Sequence, residues 1–290
     1  MRNWFSFSFV LFALASCQPD APAAASSVIP EPRIISLSGA ITETVYVLGY
    51  GSKVVGVDVT STYPPEAQLH PKVGHVRSLN AEGLLSLQPT LILAEQSEFN
   101  SPALKQVEAA GIRVAYLEKP FSLEAPDVLF QSLGQLLGLP AQQYQREMER
   151  IALEREQLAR GSKQLDSRPK VAFIYSRGKG QMLLAGKNTA ADAMIQAVGG
   201  VNPLQDFEDF RAFSQEGLLA ADPDVLLLFS TGQGTEADTQ SLAQIQGLEQ
   251  TKAGKNKHIV FMDGNYVLGF GPRSIAAALE LQQKIIEFGY

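Results

Sequence analysis

The chain has 290 residues, with 30 acidic side chains against 24 lysines and arginines and a formal net charge of −6. Such mild acidity argues against nucleic acid as a partner, because phosphate binding calls for a clustered positive surface. The one cysteine, Cys17, rules out an intramolecular disulfide and a structural cysteine-based metal site.

Residues 1 to 16 carry one early cation, Arg2, and the apolar run Phe5 to Ala15, followed by Ser16 and Cys17. Roughly 20 apolar residues are needed to cross a bilayer, so this run reads as an export signal rather than an anchor. Small residues directly before a cysteine predict a lipoprotein signal, with Cys17 as the lipidated first residue of the mature protein. Residues 17 to 32 are rich in Ala, Pro and Ser and have little to bury, so a lipid-anchored disordered tether is expected there.

From residue 33 onward, strands are predicted at Arg33–Leu37, Val54–Val57, Thr90–Ala94 and Arg113–Leu117, with helices at Thr42–Leu48, Ala81–Leu87, Ser101–Ala110 and Leu123–Leu137. The chain then changes character. Ala141 to Gln164 is densely charged, and Tyr144, Met148, Ile151 and Leu158 draw one narrow apolar stripe along a helix. At ~1.5 Å per residue such a helix reaches ~30 Å, enough to run across the back of two lobes, although an ordinary amphipathic surface helix has the same pattern. Beyond it, strands Val171–Tyr175, Val225–Phe229 and His258–Met262 alternate with helices Thr189–Val198, Gln215–Ala220 and Ser274–Phe288. The alternation implies mostly parallel sheets.

One stretch is written twice. Glu82-Gly-Leu-Leu-Ser-Leu-Gln-Pro-Thr-Leu-Ile-Leu93 recurs as Glu216-Gly-Leu-Leu-Ala-Ala-Asp-Pro-Asp-Val-Leu-Leu227. A period of 134 residues (216 minus 82) is far beyond the roughly 20 to 50 of a solenoid and suits two lobes. The expected fold is therefore α/β, with two similar αβ lobes at 33–140 and 166–290, joined by one long helix at 141–165, and a ligand cleft between the lobes.

Catalytic signatures are missing. No Gly-x-Ser-x-Gly or His-Glu-x-x-His motif occurs, and His70, His75 and His258 are not spaced as metal ligands. Gly180 to Thr189 is only superficially like a phosphate loop. Gly186-Lys187 stands one residue too far along and Asn188 replaces the hydroxyl, so a lobe-edge loop is expected.

Several segments appear in family order over nearly all of residues 33 to 290: Ser38-Gly-Ala-Ile-Thr-Glu-Thr-Val45, Asp58-Val-Thr-Ser-Thr-Tyr-Pro64, Val73-Gly-His-Val-Arg77, Leu79-Asn-Ala-Glu-Gly83, Ala185-Gly-Lys-Asn-Thr-Ala-Ala-Asp-Ala193 and Gly269-Phe-Gly-Pro-Arg273. Through them the chain resembles the substrate-binding proteins of bacterial haem ABC importers. These form a branch of the helix-linked periplasmic binding proteins that also includes cobalamin and siderophore binders. The resemblance implies ferric haem b as the transported ligand, no catalysis and no catalytic cofactor. It implies an ABC permease dimer with its ATPase as partner, and a bacterial lipoprotein held at the periplasmic or extracytoplasmic face of a membrane. One or two bound haems, and inner or outer membrane, stay open.

Carried over residue by residue, the resemblance makes Tyr63 the axial ligand of the haem iron. A hard phenolate oxygen suits ferric iron. Free tyrosine has a pKa near 10, so the phenolate needs the metal and a nearby cation. Some relatives carry arginine two residues after the tyrosine, where Pro65 stands here. That leaves the partner of the phenolate and of the haem carboxylates open among Arg77, Arg177, Arg211 and Arg273, each of which could equally be a solvated charge. His75 is a candidate second ligand. Tyr46, Phe210, Phe213 and Phe270 are candidates for contact with the macrocycle. Glu82 and Glu216 match the positions at which related proteins dock on permease arginines, while also being first-turn glutamates favoured by the helix dipole. The alternatives are a cobalamin or ferric-siderophore binder of the same fold and, as a different class, a tetrapyrrole-modifying enzyme.

Overall fold

The computed structural model describes residues 1, 31–176, 182–230 and 242–290. The export signal, Cys17 and Arg177 lie outside the described residues. In the first lobe, β1 (Ile34–Ser36), β2 (Val54–Val57), β3 (Leu91–Glu95) and β4 (Arg113–Leu117) form an all-parallel sheet in the order β2-β1-β3-β4. Its central strands are apolar except at their last residues, Ser36 and Glu95, because both faces are covered. Ile34, Leu91 and Leu93 pack with α1 (Gly39–Val47) and α4 (Ala125–Leu136), while Ile35 and Ile92 pack with α2 (Ala81–Ser86) and α3 (Pro102–Ala109).

The second lobe holds β5 (Val171–Ser176), β6 (Met182–Ala185), β7 (Phe210–Ala212), β8 (Val225–Ser230) and β9 (Ile259–Asp263) in the order β7-β6-β5-β8-β9. The expectation of mostly parallel strands holds at the centre of this sheet, and its one side departs from it. β5, β8 and β9 run parallel, but β6 and β7 are added antiparallel at one side. The expected loop Gly180–Thr189 thus supplies a strand at Met182–Ala185. It is too short to show a period, and all three residues of β7 are exposed, which hides that strand from any apolar pattern.

The sequence repeat is the pair formed by α2 with β3 and α7 (Gln215–Ala221) with β8. Both copies start on a side-chain cap: Asn80 accepts from the Glu82 amide at 2.9 Å, and Ser214 accepts from the Gly217 amide at 3.1 Å. Leu84 and Leu218 are fully buried at equivalent positions. The lobe is completed by α6 (Ala190–Ala197), capped by Thr189, and by α8 (Lys252–Asn256), α9 (Gly264–Leu268) and α10 (Ser274–Glu287).

The connecting helix α5 (Gln145–Ser162) uses its apolar stripe on both lobes. Tyr144 and Ile151 sit in the first-lobe core with Met148 packed against it, whereas Leu158 sits in the second-lobe core. At Gly161 a Cβ would collide with Gln282, whose Nε2 donates to Leu158 O, Ser162 Oγ and Val198 O. The glycine lets α5 and α10 approach closely enough for that anchor. Ile275 at the start of α10 also belongs to the first-lobe core. Two helices therefore tie both cores together. Among the described residues, no helix is long and apolar enough to cross a membrane.

Candidate functional site

The loop after β2 is built around Asp58, a fully buried carboxylate. Its Oδ2 accepts from the Thr60 amide at 3.0 Å and the Thr60 hydroxyl at 2.5 Å, and its Oδ1 accepts from Ser61 Oγ at 2.5 Å. Ser61 Oγ lies 2.7 Å from Thr42 Oγ1, which donates to Ser36 Oγ at 2.7 Å, and Lys72 Nζ donates to the Ser61 carbonyl at 3.0 Å. Aspartate bonded to its own following backbone closes a turn, and the hydroxyl chain satisfies it inside the lobe. The turn presents Tyr63, 42% exposed, ahead of a cis Tyr63–Pro64 peptide. It does so beyond the C-terminal end of β2, where ligands of parallel sheets commonly sit.

From the other lobe comes Arg273, at the cap of α10. Its guanidinium carbon lies 3.5 Å from the centroid of the Tyr63 ring and 5.0 Å from that of Tyr266. Nε and Nη2 donate to Glu43 Oε2 and Oε1 at 3.0 and 2.5 Å. Burial raises the pKa of Glu43 and the arginine opposes that rise. Asn265 adds a second bridge between the lobes, with Nδ2 donating to Thr62 Oγ1 at 3.3 Å.

Around this pair lies a cleft of about 730 Å³, lined from the first lobe by Val59, Thr60, Tyr63 and His75 and from the second by Tyr175, Phe229, Asn265, Tyr266 and Arg273. This size is typical of a small-molecule site, and the aromatic rings of Tyr63, Tyr175, Phe229 and Tyr266 share its walls with polar side chains that include Thr62, Gln68 and Asp263, a mixture that suits a flat ligand carrying polar groups. A smaller recess of about 240 Å³ continues past Ser38, Glu95 and Lys119. Lys119 there is 3.5 Å from Glu95 and donates to Gly269 O at 3.3 Å.

Of the residues expected from sequence, the fold brings Tyr63, His75 and Arg273 to one cleft. His75 Nδ1 accepts from the Arg77 amide at 3.2 Å. Arg77 is exposed, with no ion pair among the described residues. Arg211 does not line the cleft: it pairs with Asp206 at 3.3 Å and lies over the Phe207 ring. Phe270 is corrected outright. It is fully buried with φ of 51°, its ring 6.1 Å from that of Phe121, and it offers a ligand no surface. Tyr46 lines an adjoining groove with His70, its hydroxyl 2.8 Å from Nε2, and Tyr63 and Glu43 border that groove as well, while Phe213 packs on the second-lobe core. Phe210 is exposed, with its ring 6.3 Å from that of Tyr175. Glu82 and Glu216 are exposed and make no ion pair among the described residues. Sequence reasoning missed Tyr175, Phe229, Asn265, Tyr266 and Glu43. Only Glu43 carried a signal, as a charged residue inside the stretch Ser38 to Val45.

Solved structures and known proteins give a consistent setting. The periplasmic haem-binding protein RhuT from Roseiflexus sp. RS-1, in apo form, superposes with a TM-score of 0.83 at 38% identity, covering 90% of this chain and all of that one. The ABC transporter substrate-binding lipoprotein YvrC of Bacillus subtilis is 28% identical over 88% of this chain and 80% of its own length. A cobalamin-binding protein of Halobacterium salinarum is 29% identical over 89% of this chain and 70% of its own length. The periplasmic binding protein model matches residues 34–266, and with two αβ lobes, a connecting helix and a cleft between them, the chain belongs to the periplasmic binding protein family.

Proposed function

We propose that this protein is the substrate-binding component of an ABC importer, capturing ferric haem through the Tyr63 phenolate and handing it to a membrane permease. The observation that carries the reading is the stacking of Arg273 on Tyr63, a cation 3.5 Å from the ring of the one exposed tyrosine at the cleft. A cation over an aromatic face is attracted to it, so the arginine stays beside the side chain that would meet the iron. It also fills the role left open by Pro65, from the opposite lobe. Tyr175, Phe229 and Tyr266 would contact the macrocycle, and the exposed Arg77, two residues from His75, would meet its carboxylates. His75 remains within reach as a second ligand. Of the proteins compared above, the haem binder is the more similar in identity.

Lipidation at Cys17 would hold the domain at the extracytoplasmic face of a bacterial membrane, and Glu82 and Glu216, one per lobe, would dock on the permease, which works with its ATPase. Nothing in this reading requires turnover of the ligand.

The test is a titration of the full-length protein with ferric haem, read through Soret and charge-transfer absorption. Tyr63→Ala should lose the tyrosinate band and weaken binding by about 100-fold, two contacts of charge-assisted strength. Undiminished haem binding by Tyr63→Phe would instead favour a cobalamin or siderophore ligand, the reading to which the cobalamin-binding relative points.

A further inference from the structure

Glu43 is a buried carboxylate with no role in capture as described so far. We propose that Glu43 is the positioning residue of the site: it holds the Arg273 guanidinium in place over the Tyr63 ring, so that the ligand tyrosine is matched to a cation delivered by the other lobe. This rests on Tyr63 being the haem ligand.

The geometry gives the reason. Glu43 lies on α1, in the same lobe as Tyr63, and its side chain is only 7% exposed. Both of its oxygens are committed to Arg273, through Nε and Nη2. Two parallel bonds to one planar fork fix the plane of the guanidinium as well as its place. The guanidinium carbon so held lies 3.5 Å from the centroid of the tyrosine ring. An arginine side chain without such an anchor keeps several accessible rotamers, and only a fraction of them would leave the charge on the ring. The third guanidinium nitrogen, Nη1, makes no hydrogen bond among the described residues, so the clamp leaves donor capacity toward the cleft. Burying a carboxylate is costly unless it is paired, and here the pair connects a residue of α1 with one 230 positions away. A contact that only stapled the lobes together would not need to face the ring of the candidate ligand.

The experiment compares full-length Glu43→Ala, Glu43→Gln, Arg273→Leu and the Glu43→Ala/Arg273→Leu double variant, with Tyr63→Phe as control. Melting curves check that each is folded, and the milder Glu43→Gln substitutes if Glu43→Ala is not. Arg273→Leu and Glu43→Ala should each speed haem release to apomyoglobin by about tenfold, the worth of one charge-assisted contact, and shift the tyrosinate charge-transfer band in the same direction. The double variant should release haem no faster than Arg273→Leu alone, because Glu43 acts only through the arginine. In the ligand-free protein, the ring-current shift that Tyr63 imposes on the Arg273 side-chain protons should collapse in Glu43→Ala. Additive effects in the double variant, or an unchanged band and ring-current shift in Glu43→Ala, would overturn the proposal. If Tyr63→Phe keeps the wild-type haem spectrum, the ligand reading falls instead. The ring-current shift then decides by itself whether Glu43 positions Arg273.

Discussion

Tyr63 and Arg273 reach the same cleft by different means. The tyrosine sits on a loop whose main restraints, from Asp58 to Thr60 and Ser61 and on to Thr42 and Ser36, lie within its own lobe. The arginine has both of its side-chain hydrogen bonds across the cleft, on Glu43. Loop geometry should therefore survive a change in the relative placement of the lobes, and the position of the cation should not.

Breaking the local side should cost most. Asp58→Ala removes three buried acceptor contacts and strands two hydroxyl groups, which predicts a loss of about 3 kcal/mol in urea unfolding, together with weaker haem binding although Asp58 does not line the cleft. Unchanged stability would mean the hydroxyl chain re-forms around water.

The cross-lobe side should cost less and depend on pH. Arg273→Leu leaves Glu43 buried without its cation, for a loss of about 2 kcal/mol at neutral pH, discounted because the arginine is partly exposed. Burial raises the folded-state pKa of Glu43, and removing Arg273 takes away the opposing effect. A raised folded pKa means stability is fully present below the ordinary glutamate value near 4.3 and is lost as pH rises through the folded one. The gap between variant and wild type should thus narrow on acidification, which paired melting curves from pH 7 to pH 4 would show. A gap that widens would contradict the assignment.

A smaller effect belongs to His70, beside the Tyr63 loop. Burial, with Lys72 adding to it, lowers the pKa of this histidine. A lowered folded pKa leaves its contribution intact above the ordinary value near 6.5, and the contribution is lost as pH falls through the folded one. His70→Gln should flatten the fall in melting temperature on that acid side; an identical slope in both proteins would count against it. Smallest of all in binding, charge reversal at both Glu82 and Glu216 should leave stability and haem affinity unchanged while abolishing uptake in a reconstituted transporter. Loss of haem affinity in that variant would remove the docking assignment.

Much of this was legible in the residues. The doubled Glu-Gly-Leu-Leu segment announced two lobes, and Ile34-Ile35 and Val225 to Leu228 announced strands, which the structure buries. The stripe on α5 showed which of its side chains would be buried. The edge strands stayed hidden because β7 buries nothing and β6 is four residues long. Phe270 misled because an aromatic in a marker motif looks the same whether it faces a ligand or the core.

By itself the sequence determined most of the elements, the lobes, the tyrosine loop and the family, since each follows from patterns within a few residues or from one repeat. Tertiary structure decided which of the described arginines reaches the cleft. Arg211 and Arg273 are chemically identical, and only the packing of α10 against both cores sets one of them opposite Glu43 and Tyr63, far apart in the chain. A side chain's charge is written in the sequence, but its partner depends on which distant surfaces the cores bring face to face.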